Sequence, residues 1–243
     1  MKKGIYPYKK DSDFSYVSGA YATIELIHSY PEQIETVYIH SRFDKPEEME
    51  KICRSHHVHT EHDDRIFLRM NQKENSYVLC TFKKYQMKIN LESSHVILVN
   101  PADMGNLGTI IRTLAGLSHC DLALITPAAD IWNPKTIRAS MGAIFHIRFE
   151  HFENIDQYLK RFAAHELYPF MLNGKVELRP ENLALNQRYS LIFGNEATGL
   201  DESYYSLGTS VRIPQRGVID SLNLSSAVAI GTYVFGLQTD SCE

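Results

Sequence analysis

The 243-residue chain has room for one large domain or two ordinary ones, and its composition excludes several kinds of protein. Hydrophobic residues make up 44% and charged residues 22% of the chain, which is typical of a folded globular protein rather than a disordered one. The formal net charge of −4 argues against tight, non-specific binding to nucleic acid, although local basic patches can still bind phosphates.

Targeting and cysteine patterns favour a cytoplasmic protein with free thiols. The longest near-apolar run, residues 227–237, is too short to span a bilayer. Met1 is not followed by the apolar stretch of a secretory signal. The four cysteines form no Cys-x-x-Cys pair, so neither a zinc ribbon nor a redox pair is indicated. We therefore expect no membrane association.

The first 85 residues alternate helix and strand patterns. Val17, Ala20, Ile24 and Ile27 recur at helical spacing, which predicts a helix at residues 16–29. The other elements predicted in this part are strands at residues 36–40, 58–60 and 77–82 and helices at residues 46–56 and 65–70.

A polar, lysine-bearing stretch around residues 83–92 has no clear period and is interpreted as a linker. We predict a first domain at residues 1–85, a linker at residues 86–94 and a second domain at residues 95–243. In the second domain, strands are predicted at residues 96–99, 122–125, 144–149, 168–172, 191–193 and 211–213, and helices at residues 106–117, 134–140, 155–165 and 224–237. This alternation predicts an α/β fold with a mostly parallel sheet covered on both faces.

The segment at residues 213–227 is the most informative about function. An apolar strand end runs into Pro214, a polar stretch with Gly217 follows, and Ser221 and Asn223 precede a helix of small residues. Proline stops strand pairing, and Ser or Asn before an apolar run satisfies free helix N–H groups. Such a turn leaves backbone N–H and C=O groups directed into a cavity, which suits a flat, polar ligand such as an adenosine.

Two upstream segments also contain short motifs with Gly and Asn. Residues 100–113 follow an apolar strand and contain Asn-x-Gly-x-x-x-Arg-Thr, and residues 191–200 contain Gly-Asn-Glu-x-x-Gly. In order and separation, the three segments resemble the three motifs of the SpoU/TrmH family, the RNA ribose 2′-O-methyltransferases of the SPOUT class. The resemblance covers about residues 95–238. It implies S-adenosylmethionine as cofactor, a C-terminal trefoil knot after about residue 190, and a small ribosomal-protein-like α/β domain before the catalytic domain.

The resemblance makes Arg112 the catalytic arginine, with Asn106, Glu196 and Asn223 beside it. Helical spacing directs Arg112 away from the buried side of its helix. Two roles remain open for it, acceptance of the ribose 2′-hydroxyl proton and a two-pronged grip on a phosphate. A guanidinium stays protonated, which makes the second role the more conservative one. We expect Asn106 to cap its helix, and Glu196 to orient Arg112 or Asn106.

The resemblance assigns cofactor binding to five residues. Gly194 is expected to allow close approach of the backbone to the ligand. Backbone atoms of Gly194, Ile213 and Leu222 would hold the cofactor, with Asn223 shaping the site and Ala227 following it in the third motif. Methyl transfer needs an in-line oxygen nucleophile, and orientation supplies much of the acceleration. Motifs rich in Gly, Asn and Ser fit that chemistry.

The predicted partners are structured RNA, either tRNA or rRNA, and a second copy of the chain. RNA binding is assigned to Lys135, Arg138 and Arg216. A homodimer would place two modest basic faces around one groove. The alternative is a non-catalytic RNA-binding module on the same fold. The low net charge and Thr198 in the second motif keep this alternative open, whereas the intact set of Asn106, Arg112, Glu196 and Asn223 argues against it.

A histidine-rich stretch offers a competing metal site. Its members are Cys53, His56, His57, His59 and His62. His57 and His59 would share one strand face while His56 points away, and no second cluster completes a tetrahedral set. We therefore favour a solvated polar strand edge and predict that no metal is needed.

Overall fold

The computed structural model describes residues 7–70, 76–183, 188–217 and 221–239. These residues divide into two compact units. The first comprises the described residues within Met1–Gln86 and Asp130–His146, and the second those within Met87–Ala129 and Ile147–Glu243. One boundary between the units falls after Gln86.

The segment 130–146 belongs to the first unit by its packing, although the sequence placed it within residues 95–243. Its aromatic side chains are the reason. The Trp132 and Phe145 rings pack against Phe82 at 5.5 and 6.0 Å between centroids. The Ser15 hydroxyl also donates to the Trp132 carbonyl at 2.6 Å. Burial of these rings keeps the segment on the first unit.

The described residues form seven α-helices and eleven strands. The helices are α1 Ala20–Ser29, α2 Pro46–Ser55, α3 Asp64–Arg69, α4 Met104–Gly116, α5 Pro134–Ala139, α6 Ile155–Arg161 and α7 Leu224–Thr239. The strands are β1 Phe14–Ser18, β2 Ile34–Ile39, β3 Thr60–His62, β4 Val78–Lys83, β5 His95–Val99, β6 Asp121–Ile125, β7 Arg148–Phe152, β8 Glu166–Pro169, β9 Val176–Glu177, β10 Tyr189–Phe193 and β11 Val211–Arg212.

The first unit contains a four-stranded sheet in the order β1-β4-β2-β3. The predicted helix at residues 16–29 is wrong in its first part. Residues Phe14–Ser18 form β1, pair antiparallel with β4 and alternate in burial. Gly19, at φ 103°, then turns the chain into α1. The helical spacing therefore joined a strand and a helix that a glycine separates.

Two further predictions for strands also need correction. Residues predicted as a strand at 144–149 form a 3-10 helix at Ala143–His146, followed by β7. The strand predicted at 58–60 begins later, at Thr60, because His57 has a left-handed φ of 58° and Val58 still closes the end of α2.

The second unit contains a five-stranded parallel sheet in the order β7-β6-β5-β10-β8. α6 packs on one face, where Tyr158 and Phe162 join Ile97, Ala123 and Ile192. α7 covers the other face, where Phe235 contacts Tyr189 at 5.1 Å between ring centroids. Ile192 and Tyr189 lie on opposite faces of β10 because their separation is odd. The predicted parallel sheet with helices on both faces is thus confirmed.

The strand predicted at residues 211–213 is not one of the five strands of this sheet, although Val211 forms an isolated parallel bridge with Phe170 just after β8. The strand is limited to Val211–Arg212 and pairs in parallel with β9. Across the part of the chain described here, no helix combines the length and apolar character that a bilayer crossing requires.

Candidate active site

The first and second motifs meet at the carboxyl edge of the parallel sheet. β5 ends at Val99 and its hydrogen-bonded neighbour β10 ends at Phe193. Parallel strands end at the same edge, where open α/β sheets bind ligands. The turn after β5 begins at Asn100, which has a left-handed φ of 52° and receives a hydrogen bond on its carbonyl from Asn195 Nδ2 at 2.7 Å. The two motifs are therefore tied together directly.

A cavity of about 470 Å³ opens beside these loops in the second unit. Small-molecule sites are typically about 300–1,000 Å³. Its walls come from four stretches of chain: residues 170–173 after β8, 193–202 after β10, 211–215 around β11, and Ser221, Leu222, Leu224 and Ala227 at the start of α7. The second and third motifs thus line one pocket.

The second motif forms a tight hairpin. Asn195 N donates to the Gly199 carbonyl at 3.2 Å, and Gly199 N donates back to the Asn195 carbonyl at 2.9 Å. A Cβ added to Gly194 would lie 2.1 Å from the Gly199 carbonyl carbon. The backbone that approaches Gly194 is therefore that of Gly199. The sequence predicted that Gly194 would let a ligand approach the backbone closely. In the structure the group that requires glycine at this position is the backbone of Gly199, and Gly194 also lines the cavity.

Glu196 is fixed at the start of α4. Its carboxylate accepts hydrogen bonds from Ala102 N at 3.0 Å, Asp103 N at 3.1 Å and Asn106 Nδ2 at 3.3 Å. Burial by itself would raise the pKa of Glu196, but hydrogen bonds from backbone amides and from Asn106 outweigh it and lower the pKa. The side chain is therefore an anionic acceptor at neutral pH.

Asn106 does not cap α4, contrary to the sequence prediction. Asp103 is the N-cap, and its side chain accepts from Asn106 N at 2.7 Å. Asn106 lies one turn inside the helix, so its amide is free to bridge the other motifs. Its Nδ2 donates to Glu196, and its Oδ1 accepts from Asn223 Nδ2 at 3.2 Å.

Asn223 performs the capping role at α7. Its Oδ1 accepts from Ser225 N at 2.8 Å and from Ser225 Oγ at 2.7 Å. One asparagine therefore starts the helix and reaches Asn106. Glu196, Asn106 and Asn223 form a continuous hydrogen-bonded chain that unites all three motifs.

Arg112 lies apart from the hydrogen-bonded side chains of Glu196, Asn106 and Asn223. Its side chain is exposed in the middle of α4 and makes no hydrogen bond or ion pair with the described residues. Six residues separate it from Asn106, which corresponds to roughly 9 Å along the helix and about 120° around it. The sequence correctly predicted that Arg112 points away from the core. Within a single protomer, however, Arg112 is not beside Asn106 and Glu196.

The cavity contains four of the five residues predicted to bind cofactor. Gly194, Ile213, Leu222 and Ala227 line it, whereas Asn223 is directed to Asn106 instead. The lining also includes Leu172, Asn173, Glu202 and Gln215, for which the sequence predicted no role in cofactor binding. Leu172 is 68% exposed despite its apolar side chain, and its position as the last residue of the strand predicted at residues 168–172 was the signal in the sequence.

The basic residues assigned to RNA binding lie in different units. Lys135 and Arg138 are exposed on α5 in the first unit. Arg216 is exposed in the second unit, next to the cavity residue Gln215.

The histidine-rich stretch is held by carboxylates. His62 Nε2 lies 2.9 Å from Glu50 Oε1, and His59 Nε2 lies 3.3 Å from Glu61 Oε1. His57 lies in a turn rather than on a strand face with His59. No group of three or more His, Cys, Asp or Glu suited to a metal occurs within the described ranges.

The three motifs that meet at this site all lie within a region matched by one protein-family model. A sequence model of the SpoU rRNA Methylase family matches residues 93–233. The chain belongs to the SpoU rRNA methylase family. The matched region contains the Glu196–Asn106–Asn223 chain and the cavity residues of the third motif.

Curated relatives and solved structures agree with this membership. RlmP of Bacillus subtilis, a 23S rRNA (guanosine(2553)-2′-O)-methyltransferase, is 30% identical over 57% of this chain and 56% of its own length. The 23S rRNA (uridine(2479)-2′-O)-methyltransferase of Streptomyces viridochromogenes is 31% identical over 57% of this chain. This match spans 50% of the Streptomyces protein's own length. The SpoU methyltransferase AviRb of the same organism, solved with AdoMet, superposes with a TM-score of 0.80 at 21% identity. That superposition covers 94% of this chain and 92% of AviRb, and it establishes a shared fold.

Proposed function

We propose that this protein is an S-adenosylmethionine-dependent methyltransferase that modifies a ribose 2′-hydroxyl in structured RNA, either tRNA or rRNA. One observation carries the proposal: the hydrogen-bonded chain Glu196–Asn106–Asn223 joins the three motifs beside a cavity of about 470 Å³. The activities named for the family relatives point to the same chemistry.

The donor set of the cavity fits S-adenosylmethionine. Leu172, Ile213 and Leu222 offer apolar surface for an adenine ring. Glu202 and Gln215 offer a carboxylate and an amide for ammonium and hydroxyl groups. When bound, the cofactor supplies a methyl group on a positively charged sulfur, which an oxygen nucleophile can accept without covalent help from the protein.

The protein's own contribution would be orientation. Each amide of Asn106 and Asn223 retains hydrogen-bonding capacity after the contacts described above, and this capacity is available to a ribose hydroxyl. Glu196 holds Asn106 in one orientation through an ionised carboxylate. Arg112 would grip an RNA phosphate with its planar guanidinium rather than accept a proton, because that group stays protonated.

We also propose that the protein acts as a homodimer. Ile230, Tyr233 and Leu237 are 39%, 56% and 42% exposed and recur at i, i+3 and i+7 on α7. This spacing puts them on one side of the helix. An exposed apolar stripe of this kind is typical of an interface between identical subunits.

Other parts of the proposal follow from the family resemblance. The trefoil knot of residues after about 190 is supported by the position of β10 between β5 and β8 and by packing of α7 on α4. The first unit, which includes segment 130–146, would be the RNA-binding domain, joined through residues 86–94 to a methyltransferase domain made of the rest of residues 95–243. A protein that modifies tRNA or rRNA in this way would work in the cytoplasm.

Calorimetry with S-adenosylhomocysteine tests the proposal directly. We expect binding in the micromolar range, where KM values commonly fall, and transfer of labelled methyl groups to ribose in tRNA or rRNA. A folded protein that gave no heat of binding up to millimolar ligand would favour the non-catalytic RNA-binding module.

A further inference from the structure

A solvent-exposed patch of the first unit combines an aromatic ring with a thioether. Tyr21 on α1 is 62% exposed and Met141 after α5 is 48% exposed. A Cβ added to Gly142 would lie 3.0 Å from Glu25 Cγ and 3.2 Å from Ala22 Cα, so the backbone after Met141 lies against α1. Tyr21 and Glu25 are one helical turn apart on the same side of α1. Met141 therefore adjoins the turn that carries Tyr21.

Two cations extend this patch. Lys135 and Arg138 are exposed and three residues apart on α5, so they share one side of that helix. Met141 N donates to the Arg138 carbonyl at 3.1 Å, which places the thioether one turn after the guanidinium. The nearby Glu25 carboxylate is engaged by His146 Nε2 at 2.5 Å.

The backbone of the patch is strained where the thioether is presented. Met141 has a φ of 52°, in the left-handed region that non-glycine residues disfavour. Such outliers tend to occur where function requires them. Met141 directly follows the C-cap of α5, where helices commonly end on a left-handed residue that is usually glycine, and here that position presents an apolar side chain to solvent.

We propose that Tyr21 and Met141 form a stacking platform for an unpaired RNA base, with Lys135 and Arg138 binding the flanking phosphates. The proposal rests on the RNA methyltransferase function argued above and names a contact surface for its substrate. Aromatic rings stack on any base, and the polarisable thioether adapts to flat rings. The two cations complement the charge of the strand that carries the base.

Fluorescence anisotropy with two labelled RNAs tests this surface. One probe is a hairpin with an all-adenosine loop, and the other is a blunt duplex of equal length. Tyr21→Ala and Met141→Gly should each weaken hairpin binding about tenfold, the order expected for one base stack, and leave duplex binding nearly unchanged. Tyr21→Trp should retain hairpin binding because it keeps a ring. Glycine at position 141 suits the left-handed backbone, so that variant should fold normally.

Leu68→Ala is the matched control. Leu68 is 82% exposed on α3 of the same unit. α3 packs against Leu79, whereas the aromatic rings of segment 130–146 pack against Phe82. Leu79 and Phe82 lie on opposite faces of β4, so the control removes exposed apolar surface from the other side of the sheet.

A second pair of variants tests the cations. Lys135→Gln and Arg138→Gln should weaken binding of both RNAs and should each reduce the salt dependence of binding by about one unit of slope. Hairpin affinities within twofold of wild type for both Tyr21→Ala and Met141→Gly would overturn the platform. A change of subunit assembly in these variants would also overturn the platform, because the patch would then be a protein interface. S-adenosylhomocysteine binding by the wild-type protein is measured in parallel, and its absence would refute the proposed function without bearing on the stacking result.

Discussion

The carboxylate of Glu196 shows how one side chain can order a whole site. It accepts from two backbone amides at the start of α4 and from Asn106, and these bonds keep its pKa low despite partial burial. A carboxylate with three donors cannot rotate without losing several hydrogen bonds, so it fixes Asn106. Through Asn106 it also fixes the position of Asn223 at the start of α7.

Arg112 should matter for methyl transfer far more than for folding. Because its side chain is exposed and unpaired within the described residues, Arg112→Ala should change the free energy of unfolding by no more than about 0.5 kcal/mol. If the guanidinium grips a phosphate in the transition state, the same change should slow methyl transfer at least about a hundredfold, roughly 2.7 kcal/mol. Single-turnover transfer and urea unfolding measure the two quantities.

Arg112→Lys should not restore the rate, because an ammonium cannot make the planar two-pronged contact. Lys160→Ala, which removes an exposed cation from α6, serves as the control and should leave transfer unchanged. Near wild-type transfer by Arg112→Ala would remove this arginine from the mechanism.

At the scale of elements, the site depends on a hairpin and two helix starts. The hairpin after β10 closes through reciprocal hydrogen bonds between Asn195 and Gly199. Asp103 caps α4 and Asn223 caps α7. The hairpin after β10 and the starts of α4 and α7 are each formed by hydrogen bonds between residues close in sequence. Their polar side chains meet at the carboxyl edge of the parallel sheet.

Gly194→Ala should unfold or severely destabilise the hairpin. The added methyl group would lie 2.1 Å from the Gly199 carbonyl carbon, a distance that only a backbone shift can relieve. We expect a loss of more than about 3 kcal/mol, comparable with the larger single-residue effects. Gly116→Ala is the matched control: no atom lies within 4 Å of the added group, and alanine at the end of α4 should be neutral or stabilise by up to about 1 kcal/mol. Equal melting temperatures for the two variants would contradict the hairpin geometry.

At the scale of the whole molecule, the apolar stripe on α7 should set the assembly. Tyr233→Asp places a charge in the middle of the stripe, and burying that charge against a second subunit would be costly. Light scattering should show a dimer for the wild type and a 27.8 kDa monomer for the variant. Leu68→Asp adds the same charge to an exposed apolar site elsewhere and should remain dimeric. A wild-type monomer at assay concentration would refute the interface.

A buried histidine network should make the second unit sensitive to acid. His95 Nδ1 lies 2.6 Å from Tyr158 Oη, which lies 2.7 Å from Ser190 Oγ; His165 Nδ1 is 2.8 Å from the same hydroxyl. Burial lowers the pKa of His95 to about 4 and also lowers the pKa of His165. Both imidazoles are therefore neutral in the folded protein. The hydrogen bonds of this network link β5, α6 and β10.

The sign of the pH effect follows from that shift. The stability contribution of His95 is complete above its unfolded pKa of about 6.5 and is lost as the pH falls from there toward 4, because the unfolded chain then binds a proton that the folded chain does not. Urea unfolding should therefore show a steeper loss of stability over this range in wild type than in His95→Gln. His59→Gln, at an exposed histidine, should keep the wild-type slope. Parallel slopes for all three proteins would rule out this role for His95.

The sequence by itself determined the alternation of strands and helices, the parallel sheet of the second unit and the three motif segments. These features depend on local apolar spacing and on Gly, Pro and Asn at chain turns, which short stretches encode. The same local spacing failed at residues 16–29, because a strand and a helix that share apolar residues across Gly19 look like one helix. It also could not show that Asp103 rather than Asn106 caps α4, since either residue suits that position.

Only the tertiary structure decided which motif side chains meet. Asn106 lies 90 residues before Glu196 and 117 before Asn223, yet the three side chains form one hydrogen-bonded chain. Arg112, only six residues from Asn106, is turned away by the pitch of its own helix. Segment 130–146 likewise joins the first unit because its rings find partners there. Such pairings depend on long-range packing, where burial of distant side chains outweighs closeness along the chain.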